Sequence, residues 1–200
     1  YAMTAYLIAT IDVHDTNGYE TYKSLAPALI ERHGGRYIVR GGERTLVEGS
    51  WPEGRIVVLE FPDFASANAL VDDPAYGPVA AIRHANASSH IWIVEGPDGN
   101  ATADGQHAFI LGNIRMTDID GYKPYSDRVP HILAAESGSF LARGGTARSV
   151  EGGMKLDRVV IVAFKNMDAC RAFYDGEEYS DIKPTRIAAS DSNIVIVDGL

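Results

Sequence analysis

Two histidines, His33 and His84, are the side chains best suited by type to move a proton in this chain, because an imidazole titrates near neutrality and needs no metal to do so. His33 stands just before Gly34-Gly35, and His84 follows Arg83. Arg40 and Arg83 carry planar guanidinium forks that match a carboxylate or an enolate. Tyr22 can donate to a developing oxyanion, Glu48 offers a polar contact, and Trp51 lies in the loop-like run Glu48-Gly49-Ser50-Trp51-Pro52, where an aromatic ring can line a pocket. The expected catalytic set is therefore His33, His84 and Tyr22, and the expected substrate-binding set is Arg40, Arg83, Trp51 and Glu48. Each has a plainer alternative. An imidazolium also stabilises a helix C-terminus, repeated arginines and glutamates form structural ion pairs, a tyrosine on a helix face packs, and a tryptophan can lid a core.

Other chemistries leave no trace in the residue spacing. The six histidines include no His-x-x-x-His pair, and the single cysteine, Cys170, falls in an amphipathic segment where a buried thiol is the expected state. No Gly-x-Gly-x-x-Gly leads from a strand into a helix, and no Gly-x-Ser-x-Gly elbow occurs. Neither a metal nor a redox cofactor is expected.

The elements that must position these residues recur. Shifting the chain by 103 positions superposes 5–96 on 108–199 without a gap, with about a quarter of the pairs identical. Asp15, Gly18, Tyr19, Tyr22 and Pro27 return as Asp118, Gly121, Tyr122, Tyr125 and Pro130; Arg40-Gly41-Gly42 returns as Arg143-Gly144-Gly145. A long period occurring only twice describes a homodimer made covalent rather than a solenoid. The domains are expected at 3–97 and 107–200, joined by an exposed linker over 98–106.

Within each copy an apolar run of strand length, 5–13, precedes an N-capping Asp15 and a helix over roughly 16–33 ended by Gly34-Gly35. Short strands at 36–40 and 44–48 flank a Gly41-Gly42 turn, and a strand over 55–61 follows. A helix opens at Pro62-Asp63, a helical piece covers 75–84, and a strand at 90–95 closes the unit. This order contains the β-α-β-β-α-β of the ferredoxin-like arrangement. Strand parity places Leu7, Ala9 and Ile11 under the helices, and Asp12, His90 and Trp92 on the other face, where Asp12 and His90 are expected at a wet rim or in a functional cavity. The two sheets are expected to pack these second faces together around a partly apolar cavity.

A net charge of -9 with 18 scattered Lys and Arg residues argues against a nucleic-acid surface, and no apolar run approaches the roughly 18 residues of a membrane span. One cysteine and no secretory leader make a cytoplasmic location the expectation. Tyr1-Ala2 ahead of Met3 reads as a cloning remnant, and the Asn100-Ala101-Thr102 sequon weighs little in that setting.

Ala5-Tyr6-Leu7-Ile8, Gly18-Tyr19, His33-Gly34-Gly35-Arg36-Tyr37, Arg40-Gly41-Gly42, Glu48-Gly49 with Trp51, Phe61-Pro62, Pro74-Ala75-Tyr76 and Val94-Glu95-Gly96 together resemble the DUF1330 family of the dimeric α/β-barrel superfamily. The resemblance implies an α+β protein in which two tandem ferredoxin-like repeats form an intramolecular dimeric α/β barrel. It also implies that ligands bind in cavities within a half or between the sheets. The second copy departs where His33, Gly34, Trp51 and His84 become Glu136, Ser137, Met154 and Ile187. The leading expectation is a small-molecule enzyme without a redox cofactor, using acid-base chemistry (isomerase, cyclase, lyase or cofactor-free monooxygenase) on a polar-headed, partly apolar metabolite. The alternative is a non-catalytic metabolite-binding or sensing module. No nucleic-acid or membrane partner is expected, and oligomerisation beyond the fused pair is left open.

Overall fold

The structure, a computed structural model, describes residues 3–99 and 101–200. Tyr1-Ala2 and Asn100, and with them the remnant and the sequon, lie outside the described residues. The first repeat runs β1 (Ala5–Val13), α1 (Thr16–Arg32), β2 (Arg36–Arg40), β3 (Arg44–Glu48), β4 (Arg55–Phe61), α2 (Phe64–Asp72), α3 (Tyr76–Asn86) and β5 (Ala87–Glu95). The second repeats this order as β6 (Ala108–Met116), α4 (Ile119–Ala135), β7 (Ser139–Arg143), β8 (Ala147–Glu151), β9 (Arg158–Phe164), α5 (Met167–Tyr174), α6 (Glu177–Ala189) and β10 (Ser190–Asp198).

Local chemistry starts and stops the helices. The Asp15 carboxylate accepts from the backbone N–H of Asn17 at 2.9 Å and Gly18 at 3.2 Å, and Asp118 accepts from Gly121 at 3.0 Å. Gly34 ends α1 with φ +74°, a left-handed conformation that glycine adopts without strain. Ser137 occupies the matching position with φ 55°, so the second copy keeps the turn at a conformational cost of about 1 kcal/mol.

Two antiparallel five-stranded sheets result, ordered β2-β4-β1-β5-β8 and β3-β10-β6-β9-β7. The two short strands that flank the Gly41-Gly42 turn do not pair with each other. β2 pairs with β4 of its own repeat, whereas β3 crosses to pair with β10, placing Thr45 opposite Ile196 and Glu48 opposite Ile194; β8 crosses in return to β5, with Glu151 opposite Ile91. Glycine at the crossing permits the exchange, since a Cβ on Gly42 would lie 2.5 Å from the Asp198 carbonyl oxygen and one on Gly145 2.5 Å from that of Glu95.

The sheets face each other through the predicted parity. Tyr6, Ile8, Val58, Trp92 and Val94 meet Phe109, Leu111, Ile161, Val195 and Val197 in one buried cluster, while Leu7, Ala9 and Ile11 pack beneath α1 to α3. The face between the sheets is filled with apolar side chains, and the cavity expected there lies instead under the helices of each half. Asp12 is exposed near the end of β1, and His90 is half-buried within β5.

The linker is docked rather than free. The buried Glu60 carboxylate accepts from the Ala103 N–H at 2.7 Å, from the Tyr6 hydroxyl at 3.2 Å and from Arg36 Nε at 2.8 Å, and Ala103 is buried. Among the described residues no helix is long and apolar enough to cross a membrane.

Candidate functional site

Residues on one face of α1 and α3 enclose a space against the helix side of the first sheet. Tyr19 and Tyr22, three apart on α1, point to the same side with Ile30; Tyr76 comes from α3, Leu7, Ala9 and Ile11 from β1, Tyr37 and Arg40 from β2, and Arg55, Val57 and Leu59 from β4. The cavity measures about 30 Å³, room for roughly two ordered waters. Its body is apolar and its polar atoms are phenols and cations.

The Tyr22 and Tyr76 hydroxyls lie 3.2 Å apart. Burial raises the Tyr22 pKa well above the ordinary phenol value, against the opposing charge of Arg83, and burial likewise raises Tyr19 and Tyr37. These groups therefore stay protonated and act as hydrogen-bond donors. The Arg40 guanidinium stacks over the Tyr37 ring at 4.2 Å, and Arg55 donates to the Arg40 carbonyl at 3.1 Å while its buried Nε has no partner. Lys23 completes the mouth, paired with Glu20 at 2.8 Å. No carboxylate or imidazole lines the cavity, so its field is positive and favours an anion. Among the described residues no three His, Cys, Asp or Glu side chains converge as a metal site would require.

Of the residues expected from sequence, Tyr22 and Arg40 line this cavity. Arg83 lies behind it with no exposed surface, its Cζ 5.5 Å from the centre of the Tyr22 ring. It donates to both Glu151 oxygens at 2.7 and 2.8 Å and to Ser89 at 2.7 Å. The other four stand elsewhere. His33 caps α1 and bonds Asp73 at 2.8 Å, and His84 bonds Glu151 at 2.9 Å, so the two imidazoles meet neither each other nor the cavity. Glu48 crosses to the second half with β3, where it accepts from Arg186 at 2.7 Å and from Tyr174 at 3.0 Å. Trp51 is buried between the sheets against Trp92, ring centres 5.2 Å apart, and its Nε1 donates to Thr10 at 3.0 Å. It tucks into the core because that face is apolar and Thr10 satisfies its one N–H.

Tyr19, Arg55 and Tyr76 recur in the second copy as Tyr122, Arg158 and Tyr179, which in the sequence reads as frame, and neither Lys23 nor Tyr37 is among the residues expected there at the site. A signal existed for the last two. They become Ser126 and Phe140 in the second copy, which is the kind of chemical difference that marks a specialised position.

The equivalent region of the second half is built alike and closed differently. Tyr125 and Tyr179 hydroxyls again lie 3.2 Å apart, but Arg143 turns inward to donate to the Ser126 carbonyl at 2.7 Å. Burial, and repulsion from Arg158, lower the Arg143 pKa. The space divides into two cavities of about 20 and 40 Å³.

Residues 4–97 and 107–200 are each matched by one family, described as a domain of unknown function, DUF1330. The chain belongs to this family, as a tandem pair. Among solved structures, an anthrone oxidase-like protein is 10% identical with a TM-score of 0.54, covering 100% of this chain and 92% of that one. A mutant chlorite dismutase from Candidatus Nitrospira defluvii is 8% identical with a TM-score of 0.57, covering 100% and 92%. A protein of unknown function from Rhodopseudomonas palustris is 18% identical over 49% of this chain and 85% of its own, with a TM-score of 0.41. No curated protein is similar to the chain in sequence. The two full-length likenesses show the fold: this DUF1330 tandem is a dimeric α/β barrel closed within one polypeptide.

Proposed function

We propose that this DUF1330 tandem binds a small, flat, anionic molecule with an apolar body in the cavity of its first half, and acts on it as a small-molecule enzyme without a redox cofactor. The observation that carries the reading is Arg40. Its guanidinium has only a ring for a neighbour, at the mouth of an apolar cavity, whereas the matching Arg143 is spent on Ser126. An anion seated there receives a charge-assisted bond from Arg40, and one of its oxygens can accept from the Tyr22 and Tyr76 phenols, which stabilises negative charge developing on that oxygen. Ligand entry displaces Lys23, Tyr37 and Arg40, whose outer atoms reach water. A second reading, a binding module without turnover, is favoured by one fact: neither a carboxylate nor an imidazole lines the cavity to accept a proton.

Salicylate, flat and anionic above pH 4, is a suitable probe because its own fluorescence reports binding. The wild-type chain is expected to bind it saturably, and Arg40→Ala to weaken it about tenfold, the scale of one charge-assisted hydrogen bond. Arg143→Ala leaves the affinity unchanged. Absence of saturable binding, or equal losses from the two substitutions, overturns the proposal.

A further inference from the structure

We infer that Glu151, a residue of the second repeat, is a positioning residue of the first-half site: acting through Arg83, it sets the positive charge that an anion in that cavity meets. This rests on the binding reading above. Arg83 is fully buried directly behind Tyr22; among the described residues its Nε has no partner and a single carboxylate compensates its charge. That carboxylate arrives on β8, the strand the second repeat inserts at the edge of the first sheet, and no residue of the first repeat replaces it in the contacts of Arg83. The polar groups around the guanidinium are Tyr22 of α1, Tyr76 of α3, Ser89 of β5 and Glu151 of β8, with His84 on the outer side of the same carboxylate. Glu151 is thus shared between a buried cation behind the cavity wall and an imidazole facing water.

The second half holds the mirror arrangement. Arg186, also fully buried, lies with Cζ 5.6 Å from the Tyr125 ring and is held by Glu48 of β3, which also accepts from Tyr174, the counterpart of Val71, while Ile187 stands where the first half has His84. Each arginine therefore depends on the opposite repeat. A chain with one working cavity still needs both copies, since the divergent copy supplies the counter-charge for the site it does not contain.

The duplication provides its own control. In the full-length chain Glu151→Gln removes the counter-charge, leaves Arg83 less compensated, and is expected to tighten salicylate about threefold, the scale of one partly screened charge at this range. Glu48→Gln breaks the same contact around Arg186 and leaves the affinity unchanged, because Glu48 lies outside the first-half cavity. If loss of the charge pair prevents folding, the apolar replacement Arg83→Met/Glu151→Leu keeps the volume filled. It removes the nearer positive charge and weakens salicylate about threefold, while Arg186→Met/Glu48→Leu does not. Opposite signs from the single and double substitutions are something a merely structural role does not produce. Equal responses of the two halves, or no response in either, overturn the inference while the binding reading stands; no saturable binding by the wild type overturns both.

Discussion

Trp51→Ala lowers the stability of the chain by about 3–5 kcal/mol, the range for deleting a large buried aromatic, and leaves salicylate affinity intact. The ring is 7% exposed, in the cluster between the sheets, tilted against Trp92. Its truncation opens a void that close-packed strands fill only in part, and it leaves Thr10, itself 2% exposed, without the N–H it accepts. Trp51→Phe restores most of the volume but not the donor, and costs about 1–3 kcal/mol. Urea denaturation with an unchanged slope measures both. A near-neutral Trp51→Ala accompanied by lost ligand binding would return Trp51 to the pocket-lining role that its loop position first suggested.

Removing Arg83 alone has an effect of similar size for an electrostatic reason. Arg83→Met strips a half-buried carboxylate of its two strongest donors, and breaking such a pair costs about 3–5 kcal/mol. Replacing both partners, Arg83→Met with Glu151→Leu, recovers most of that loss, because no uncompensated charge remains. Acid titration separates the cases. Burial pushes the Glu151 pKa up, but the bonds from Arg83 outweigh it and hold the folded-state value below the ordinary one; Glu48 is held down against burial by Arg186 in the same way. A depressed carboxylate pKa contributes stability that is complete above the unfolded value, about 4.3, and is lost as the pH falls through the folded value. Wild-type stability therefore declines below about pH 4.3. In Arg83→Met burial acts on Glu151 with the guanidinium gone, its pKa rises, and acidification relieves part of the defect. Unfolding midpoints between pH 3 and 7 that decline in parallel for the two proteins would refute this assignment.

Neither effect was readable from residue spacing, for a common reason. Trp51 and Arg83 both drew attention as residues of the right type, and both could be placed on a loop and a helix end. The polarity of the surface each meets was not available, because those surfaces come from strands that lie far away in the chain: Thr10 and Trp92 for the tryptophan, Glu151 for the arginine. Tyr22 was easier to place: a tyrosine three residues after Tyr19 shares its face of α1, and that face meets the sheet, although the cavity it borders was expected between the sheets and lies under the helices instead.

The amino-acid sequence was sufficient for the duplication, the order of the elements, the parity of the strands and hence the meeting of the two sheets, because each of these follows from local period and from comparing one copy with the other. Tertiary structure alone decided which repeat each short strand serves. The residues at 44–48 and 147–151 carry no clean alternation and do not name a partner; pairing with β10 and β5 takes them across, and the close passage of Gly42 by Asp198 and of Gly145 by Glu95 leaves room for it. That exchange carries Glu48 and Glu151 into opposite halves, because a pairing choice depends on distant backbone groups that become neighbours only once both sheets exist.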